Sequence, residues 1–161
     1  MTRRTFENRT IFQICFVTDD LEKTGGWLAA LTGMDVPEIK AAAPEHAFAE
    51  YRGEIVPASC RLMIFRFDNV DIEILEPGPE KSAWRDVLEA KGPGFHHLGF
   101  RTRDMQRDTA ILTGRGHPLI QSGEFPSRTG RYAYFDTRSG LGELIELLEY
   151  DADKIGAPAT A

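Results

Sequence analysis

The chain has 161 residues, 42% of them hydrophobic, with a formal net charge of −6 and an isoelectric point near 5.2. This length and apolar content are enough for one core, as in a small enzyme. The acidic balance and the lack of a basic run argue against nucleic acid as a partner. No stretch reads as a signal peptide or a membrane span, and the two cysteines lack a C-x-x-C spacing. We therefore expect a reduced, cytoplasmic protein outside the membrane.

The first predicted elements are a strand at residues 11–18 and an amphipathic helix that follows it. Asp20 stands where a helix N-cap is expected, and Gly33 stands where the helix should stop. The residues expected on the inward face of the helix are Leu21, Leu28 and Leu31. The chain thus opens with a strand and a helix packed against it.

Two further strands complete the first half, at residues 61–67 and 70–75, with a tight turn between them. A Pro-Gly-Pro segment at residues 77–79 then breaks the chain. Ser82 can cap a short linker helix within about residues 80–93. This helix separates two halves of similar size.

The second half repeats the order of the first. A strand at residues 96–102 precedes a helix that Asp104 can cap, and strands follow at residues 131–136 and 143–148. The tail, residues 151–161, has no periodicity and is expected to fray.

The spacing of polar residues supports an internal duplication. Seven positions separate Gln13 from Asp20, and seven separate His97 from Asp104. Each interval runs from a polar strand residue to the N-cap of the next helix. The sequence therefore predicts a duplicated α+β fold.

Alternation along the strands brings one polar side chain of each of four strands to a common concave face. These four residues are Gln13, Glu73, His97 and Glu146. Two carboxylates, an imidazole and an amide oxygen suit a divalent ion such as Zn²⁺, Co²⁺, Ni²⁺, Mn²⁺ or Mg²⁺. Burying two carboxylates together without a cation would be costly. We therefore predict one divalent metal ion at this face.

Alternation also assigns the neighbours of these residues. It places His96 on the face opposite His97, so we interpret His96 as a structural or second-layer residue. Tyr132 and Tyr134 share one strand face and could line a pocket.

Three segments resemble the vicinal oxygen chelate superfamily, which includes glyoxalase I, methylmalonyl-CoA epimerase, extradiol dioxygenases and bleomycin-resistance proteins. They are Asn-Val-Asp-Ile-Glu-Ile-Leu-Glu-Pro at residues 69–77, Gly-Phe-His-His-Leu-Gly-Phe at 94–100 and Gly-Glu-Leu-Ile-Glu-Leu at 142–147. These segments are most similar to a glyoxalase-like group close to methylmalonyl-CoA epimerase.

The resemblance covers about residues 11–150 and implies one domain over residues 1–161. Its fold is two βαβββ modules that form a half-open barrel around a concave metal site. Module one is expected at about residues 11–76 and module two at about residues 94–150.

The resemblance also implies a ligand set, and the same four residues occupy the family's ligand positions. Methylmalonyl-CoA epimerases usually have histidine where this chain has Gln13, whereas some glyoxalase I enzymes use a Gln, Glu, His, Glu set. Epimerase-like and glyoxalase-like chemistry therefore both stay open.

The resemblance implies a reaction by proton abstraction beside a carbonyl of a small-molecule substrate, as an isomerase, epimerase or lyase. Glu146 is the first candidate for metal ligand and base, because family members use the closing-strand glutamate in this role. A two-base epimerisation needs a second carboxylate, for which the candidates are Glu54 and Glu50. Family members often form homodimers, so a homodimer is expected.

Two alternatives remain. The first is a metal-free small-molecule binding or resistance protein, against which the retained polar set argues. The second is an extradiol-type dioxygenase with Fe²⁺ held by two histidines and a carboxylate, against which Gln13 argues.

Overall fold

The computed structural model describes residues 10–154, which form a ten-stranded mixed sheet, strongly curled into a half-barrel, with helices packed against it. The first module contains β1 (Ile11–Val17), α1 (Leu21–Thr32), β2 (Lys40–Ala42), β3 (Phe48–Tyr51), β4 (Glu54–Pro57), β5 (Cys60–Arg66) and β6 (Asp71–Pro77). Helix α2 (Ala83–Lys91) connects the two modules. The second module contains β7 (Gly94–Arg101), α3 (Met105–Gly114), β8 (Leu119–Glu124), β9 (Gly130–Phe135), α4 (Arg138–Leu141) and β10 (Leu144–Tyr150).

The strand order is β2-β5-β6-β1-β7-β10-β9-β8-β3-β4. At the centre, β1 pairs antiparallel with β7, and each of them pairs in parallel with the closing strand of its own module, β6 or β10. The same arrangement therefore occurs twice around the β1–β7 pair. The predicted α+β fold with a half-barrel is confirmed.

Both modules begin their first helix in the same way. The side chains of Asp20 and Asp104 accept the backbone N–H three residues further on, at 3.0 and 2.9 Å. A glutamate on each closing strand, Glu76 or Glu149, accepts the first backbone N–H of the helix, at 2.9 and 3.0 Å. Each helix start thus has two carboxylates that satisfy its free N–H groups, and the predicted N-caps are confirmed.

The hairpin of β3 and β4 crosses from the first module to the edge of the second. Strand β3 pairs with β8 in the register Ala49↔Gly123, and the backbone N–H of Arg52 donates to the carbonyl of Ile120 at 2.8 Å. Only residues 43–47 join β2, at one end of the sheet, to β3, near the other end. The first module thus supplies the strands at both ends of the sheet, β2 and β4.

The core lies on both sides of the curled sheet. Outside the first module, α1 packs over a cluster that includes Phe65 and Ile74. On the concave side, Trp84 and Leu88 of α2 pack with Cys15 and other strand residues. The connecting helix therefore fills part of the interior.

Two local predictions are wrong. Leu31 is 67% exposed, because the buried stripe of α1 runs through Leu21, Gly25 and Ala29, and Leu31 falls outside it. Part of the predicted frayed tail is ordered: Asp151–Lys154 is a 3-10 helix, and the N–H of Asp151 donates to the carbonyl of Thr129 at 2.9 Å. Residues 155–161 of that tail, and residues 1–9, lie outside the described residues.

Within residues 10–154, no helix is long and apolar enough to cross a membrane.

Candidate functional site

The four predicted ligand residues come from the four central strands of the sheet. Gln13 lies on β1, Glu73 on β6, His97 on β7 and Glu146 on β10, and all four are buried. Nε2 of His97 is 3.0 Å from Oε2 of Glu146 and 4.0 Å from Oε2 of Glu73. The structure therefore brings side chains from both modules to one point.

Gly99 makes the close approach of Gln13 and Glu146 sterically feasible. A Cβ atom at Gly99 would lie 3.0 Å from Cβ of Gln13 and 3.3 Å from Oε2 of Glu146. Gly99 also pairs with both residues in the sheet, Gln13 on one side and Glu146 on the other. The missing side chain leaves space where these two side chains meet.

Burial and mutual repulsion set the protonation of the site in the absence of a cation. Burial, and secondly the neighbouring Glu146, raises the pKa of Glu73 to about 6, although His97, Cys15 and Gln13 oppose this rise. Burial alone would lower the pKa of His97, but Glu146 and Glu73 outweigh it and raise that pKa. The site therefore attracts positive charge.

The donor atoms of this site fit a cation. Nε2 of His97 and Oε2 of Glu146 are buried, and neither makes a well-formed hydrogen bond within residues 10–154. Buried polar atoms without partners are rare and call for an explanation, which an ion between them would supply. Two carboxylates would also balance the charge of a divalent ion.

A cavity of about 520 Å³ opens from this point towards solvent. At its buried end, Gln13, Glu73 and Glu146 contribute to the lining. Its exposed end includes Lys40 and Glu124, and most of the wall between the two ends is apolar. The wall residues include Leu62, Ile64, Leu75, Trp84, Phe125, Leu148 and Tyr150. The cavity is large enough for a small molecule.

The prediction that Tyr132 and Tyr134 line a pocket is confirmed, because both belong to the wall of this cavity. The hydroxyl of Tyr134 accepts a hydrogen bond from Nε1 of Trp84 at 3.0 Å. The hydroxyl of Tyr132 accepts one from Nε2 of Gln121 at 3.2 Å. Burial raises the pKa of Tyr134 well above its usual value, so its hydroxyl stays protonated.

The predicted orientation of His96 is wrong. His96 and His97 are both fully buried, and their Nδ1 atoms are 2.8 Å apart. The register between β1 and β7 shifts at this point: Cys15 pairs with His97, whereas the next residue of β1, Phe16, pairs with Phe95. Such a β-bulge leaves His96 as the extra residue and suspends the alternation of side chains.

A second group of potential donors lies behind the first. The ligand atoms of Cys15, His96 and His97 lie within 4.8 Å of one another, and all three residues are fully buried. Burial, and secondly Glu73, raises the pKa of the Cys15 thiol well above its usual value. The thiol is therefore protonated in the metal-free chain, and neither Cys15 nor His96 lines the cavity.

The structure does not bring the candidates for a second base to the site. Glu54 and Glu50 are exposed on the β3–β4 hairpin and do not line the cavity. At the tip of the hairpin, Arg52 and Gly53 both have positive φ, as a tight turn between two antiparallel strands requires.

A family model described as the Glyoxalase/Bleomycin resistance protein/Dioxygenase superfamily matches residues 12–135. This match spans most of the chain, from β1 to the end of β9. The chain belongs to this superfamily. The resemblance stated from its sequence is thus confirmed.

One curated relative and several solved structures are similar to the chain. The uncharacterized protein YqjC of Bacillus subtilis is 29% identical over 91 residues, which are 56% of this chain and 65% of that protein, just under two thirds of its length. Methylmalonyl-CoA epimerase from Mycobacterium tuberculosis has a TM-score of 0.63 at 18% identity, covering 89% of this chain and 91% of its own. A variant of the Streptomyces coelicolor methylmalonyl-CoA epimerase in complex with 2-nitronate-propionyl-CoA has a TM-score of 0.66 at 22% identity, covering 92% of this chain and 98% of its own. At these identities the solved structures show the shared fold.

Proposed function

We propose that this chain is a metal-dependent enzyme that removes a proton from a carbon atom beside a carbonyl group of a small molecule. The observation that carries this proposal is the meeting of Gln13, Glu73, His97 and Glu146 beside the buried end of an open cavity. The reaction is an isomerisation, an epimerisation or a lyase step, either methylmalonyl-CoA epimerase-like or glyoxalase-like.

These four residues are the proposed ligands of one divalent ion, Zn²⁺, Co²⁺, Ni²⁺, Mn²⁺ or Mg²⁺. Nε2 of His97 lies 3.0 Å from Oε2 of Glu146 and 4.0 Å from Oε2 of Glu73, so these donor atoms are near enough to share one ion.

When bound, such an ion would draw electron density from a substrate carbonyl and acidify the adjacent C–H group. Glu146 is the proposed base, because its carboxylate lines the cavity and is 3% exposed. The carboxylate therefore lies beside the substrate position, and water that enters the open cavity can exchange the proton it carries. The proton held by Glu146 can return to the same carbon or to its neighbour.

Glu54 remains the predicted second base, but the geometry of one chain does not support it. Within residues 10–154, the carboxylates in the cavity lining are Glu73, Glu146 and the exposed Glu124. A two-base epimerisation needs carboxylates on two sides of the substrate. One buried base thus favours a shuttle in which Glu146 both removes and returns the proton.

The cavity wall supports a substrate with an apolar body. Apolar groups form most of the lining between the buried end and the exposed Lys40. One structural neighbour, a methylmalonyl-CoA epimerase, is in complex with methylmalonyl-CoA and NH₄⁺. Acyl-CoA thioesters are therefore the first substrates to test, and hemithioacetals the second.

Two other functions have less support. A metal-free binding protein does not need two buried carboxylates beside an imidazole, since an apolar cleft would bind without the cost of burying them. An extradiol-type dioxygenase needs two histidine ligands, and Gln13 occupies the position of one of them.

Metal analysis and proton exchange test this proposal. We expect protein purified without chelator to hold about one equivalent of a divalent ion. In D₂O it should place deuterium on the carbon beside the carbonyl of a substrate. Glu146→Gln should lower the exchange rate at least about 10²-fold, because general-base catalysis contributes about 10²- to 10⁴-fold.

Glu124→Gln is the matched control, because Glu124 also lines the cavity but is exposed at its outer end. This variant should exchange at nearly the wild-type rate. Wild-type exchange in Glu146→Gln would remove Glu146 from the mechanism. A protein that holds no ion, and gains no activity when one is added, would instead support the binding function.

We also propose a reducing compartment, because Cys15 and Cys60 are free thiols.

We further propose a homodimer. Trp27 and Leu31 lie one turn apart on α1 and are 65% and 67% exposed, so they form an apolar surface that a second chain could cover. Sedimentation velocity should give the mass of two chains, and Trp27→Glu should reduce it to one. The exposed Lys23→Glu change on the same helix serves as the control, and a single-chain mass for the wild type would disprove the dimer.

A further inference from the structure

The hydrogen bond between two adjacent histidines connects the proposed site to the core. Nδ1 of His96 and Nδ1 of His97 are 2.8 Å apart. The β-bulge makes this contact possible, because alternation in a regular strand would direct adjacent side chains to opposite faces. Both rings are fully buried, so water does not compete for the bond.

A bond between two ring nitrogens needs one proton, so one Nδ1 donates and the other accepts. If His96 donated, neutral His97 would carry its own proton on Nε2. That proton would occupy the atom that faces Glu146 and Glu73. If His97 donates, the single proton of the neutral ring lies on Nδ1, and Nε2, the atom that faces the same carboxylates, is available to bind an ion.

We propose that His96 accepts the hydrogen bond from Nδ1–H of His97 and thereby holds His97 in the tautomer whose Nε2 can bind a metal ion. His96 is thus a positioning residue that acts through His97. A ligand histidine commonly donates its second ring N–H to an acceptor that fixes its tautomer and orientation. Here the acceptor is the preceding residue in the chain, which a regular strand could not provide.

The surroundings of His96 leave its bond to His97 as the contact that orients the ring. The ring lies against Tyr134, with ring centroids 5.4 Å apart in an edge-to-face arrangement. Within residues 10–154, Nε2 of His96 has no hydrogen-bond partner, whereas Nδ1 is paired with Nδ1 of His97. The direction of that one bond therefore fixes the tautomers of both rings.

The direction of the hydrogen bond can be measured in the metal-free wild-type protein. Two-bond ¹H–¹⁵N correlation spectra of histidine distinguish protonated from unprotonated ring nitrogens, and His96→Asn assigns the signals. We expect Nδ1 of His97 to carry the proton and Nδ1 of His96 to be bare. A proton on Nδ1 of His96 would overturn the inference, whatever the protein catalyses.

Zn²⁺ affinity, measured by competition with a chromophoric chelator, tests the consequence for the proposed metal site. His96→Leu removes the acceptor and should weaken Zn²⁺ binding about 10- to 100-fold. His96→Asn offers an amide oxygen near the position of Nδ1 and should restore most of the affinity. The melting temperatures of both metal-free variants show whether each one folds.

This second test rests on the proposed function, and its failures can be told apart. If the wild type binds no Zn²⁺, the proposed metal site fails, while the NMR spectra still decide the direction of the hydrogen bond. Unchanged Zn²⁺ affinity in a folded His96→Leu protein would overturn the positioning role alone. An equal loss in His96→Leu and His96→Asn would also overturn it, because rescue by the amide is what distinguishes an acceptor from simple packing.

Discussion

Gly99 is the residue that most directly controls the distance between the two modules at the site. It pairs with Gln13 of one module and Glu146 of the other, and it leaves the space between their side chains open. An alanine there would place its Cβ 3.0 Å from Cβ of Gln13, closer than ordinary van der Waals contact. One residue of the two must then move.

Gly99→Ala should therefore lower the affinity for Zn²⁺ about 5-fold or more, since inserting a methyl group into a packed site costs about 1–3 kcal/mol. Competition titration with a chelator measures this change. Gly94→Ala is the control on the same strand, because a Cβ there meets nothing within 4 Å. Equal affinities for the two variants would show that the space beside Gly99 is not needed.

Residue positions on regular strands could be predicted from the sequence, but the bulge could not. Glu73 and Glu146 alternate with apolar residues on regular strands, and Gln13 keeps this alternation although β1 shifts register against β7 beside it. Alternation therefore placed all three on the concave face. His96 lies where β7 shifts register against β1, and that shift depends on the pairing partner rather than on local sequence. The alternation of side chains therefore could not predict the contact between His96 and His97.

Among the elements, the β3–β4 hairpin has the most unusual position, because it leaves its own module to pair with β8. The hydroxyl of Tyr51 donates to Oδ2 of Asp86 on α2 at 2.7 Å, and Arg52 forms an ion pair with the same carboxylate. Tyr51 is 8% exposed, whereas the Arg52 side chain is 55% exposed. The tyrosine contact should contribute more to the docking of the hairpin.

Tyr51→Phe should reduce the free energy of unfolding by about 1 kcal/mol, the typical net value of a hydrogen bond. Arg52→Gln should reduce it by about 0.5 kcal/mol or less, because exposed ion pairs contribute little. Urea denaturation of both variants measures the difference. A larger loss in Arg52→Gln would mean that the ion pair, and not the hydroxyl, holds the hairpin against α2.

The elements with clear caps or alternation were predicted, and the short crossing strands were not. The four central strands, β5, β9 and the three main helices appear within a few residues of their expected places. In contrast, β2, β3 and β4 have three or four residues each, and β8 carries polar and small residues. Their strand character comes from pairing with distant segments, which a single sequence does not reveal.

For the whole molecule, bringing Glu73 and Glu146 together has an electrostatic cost that the rest of the fold must offset. Two carboxylates buried beside one imidazole leave the metal-free site with an excess of negative charge. A cation or additional protons would neutralise this excess. The stability of the metal-free protein should therefore depend on pH in a way that the metal-bound protein does not share.

The sign of this dependence follows from Glu73, whose pKa is raised to about 6 from an ordinary value of 4.5. Between these values the folded chain binds more protons than the unfolded chain, so stability decreases as pH rises through this window. His97, whose pKa is also raised, acts in the same direction at higher pH, because its stabilising charge is lost there.

We therefore expect Glu73 to reduce the stability of the metal-free protein by roughly 1.5 kcal/mol between pH 4.5 and pH 7.5. Chemical denaturation of wild type and Glu73→Gln at both pH values isolates this contribution, because the other titrating groups largely cancel in the comparison. Saturating Zn²⁺ should reverse the trend in the wild type, since protons compete with the ion for the same ligands. An identical pH dependence of stability in wild type and Glu73→Gln, both metal-free, would show that burial does not raise the pKa of Glu73.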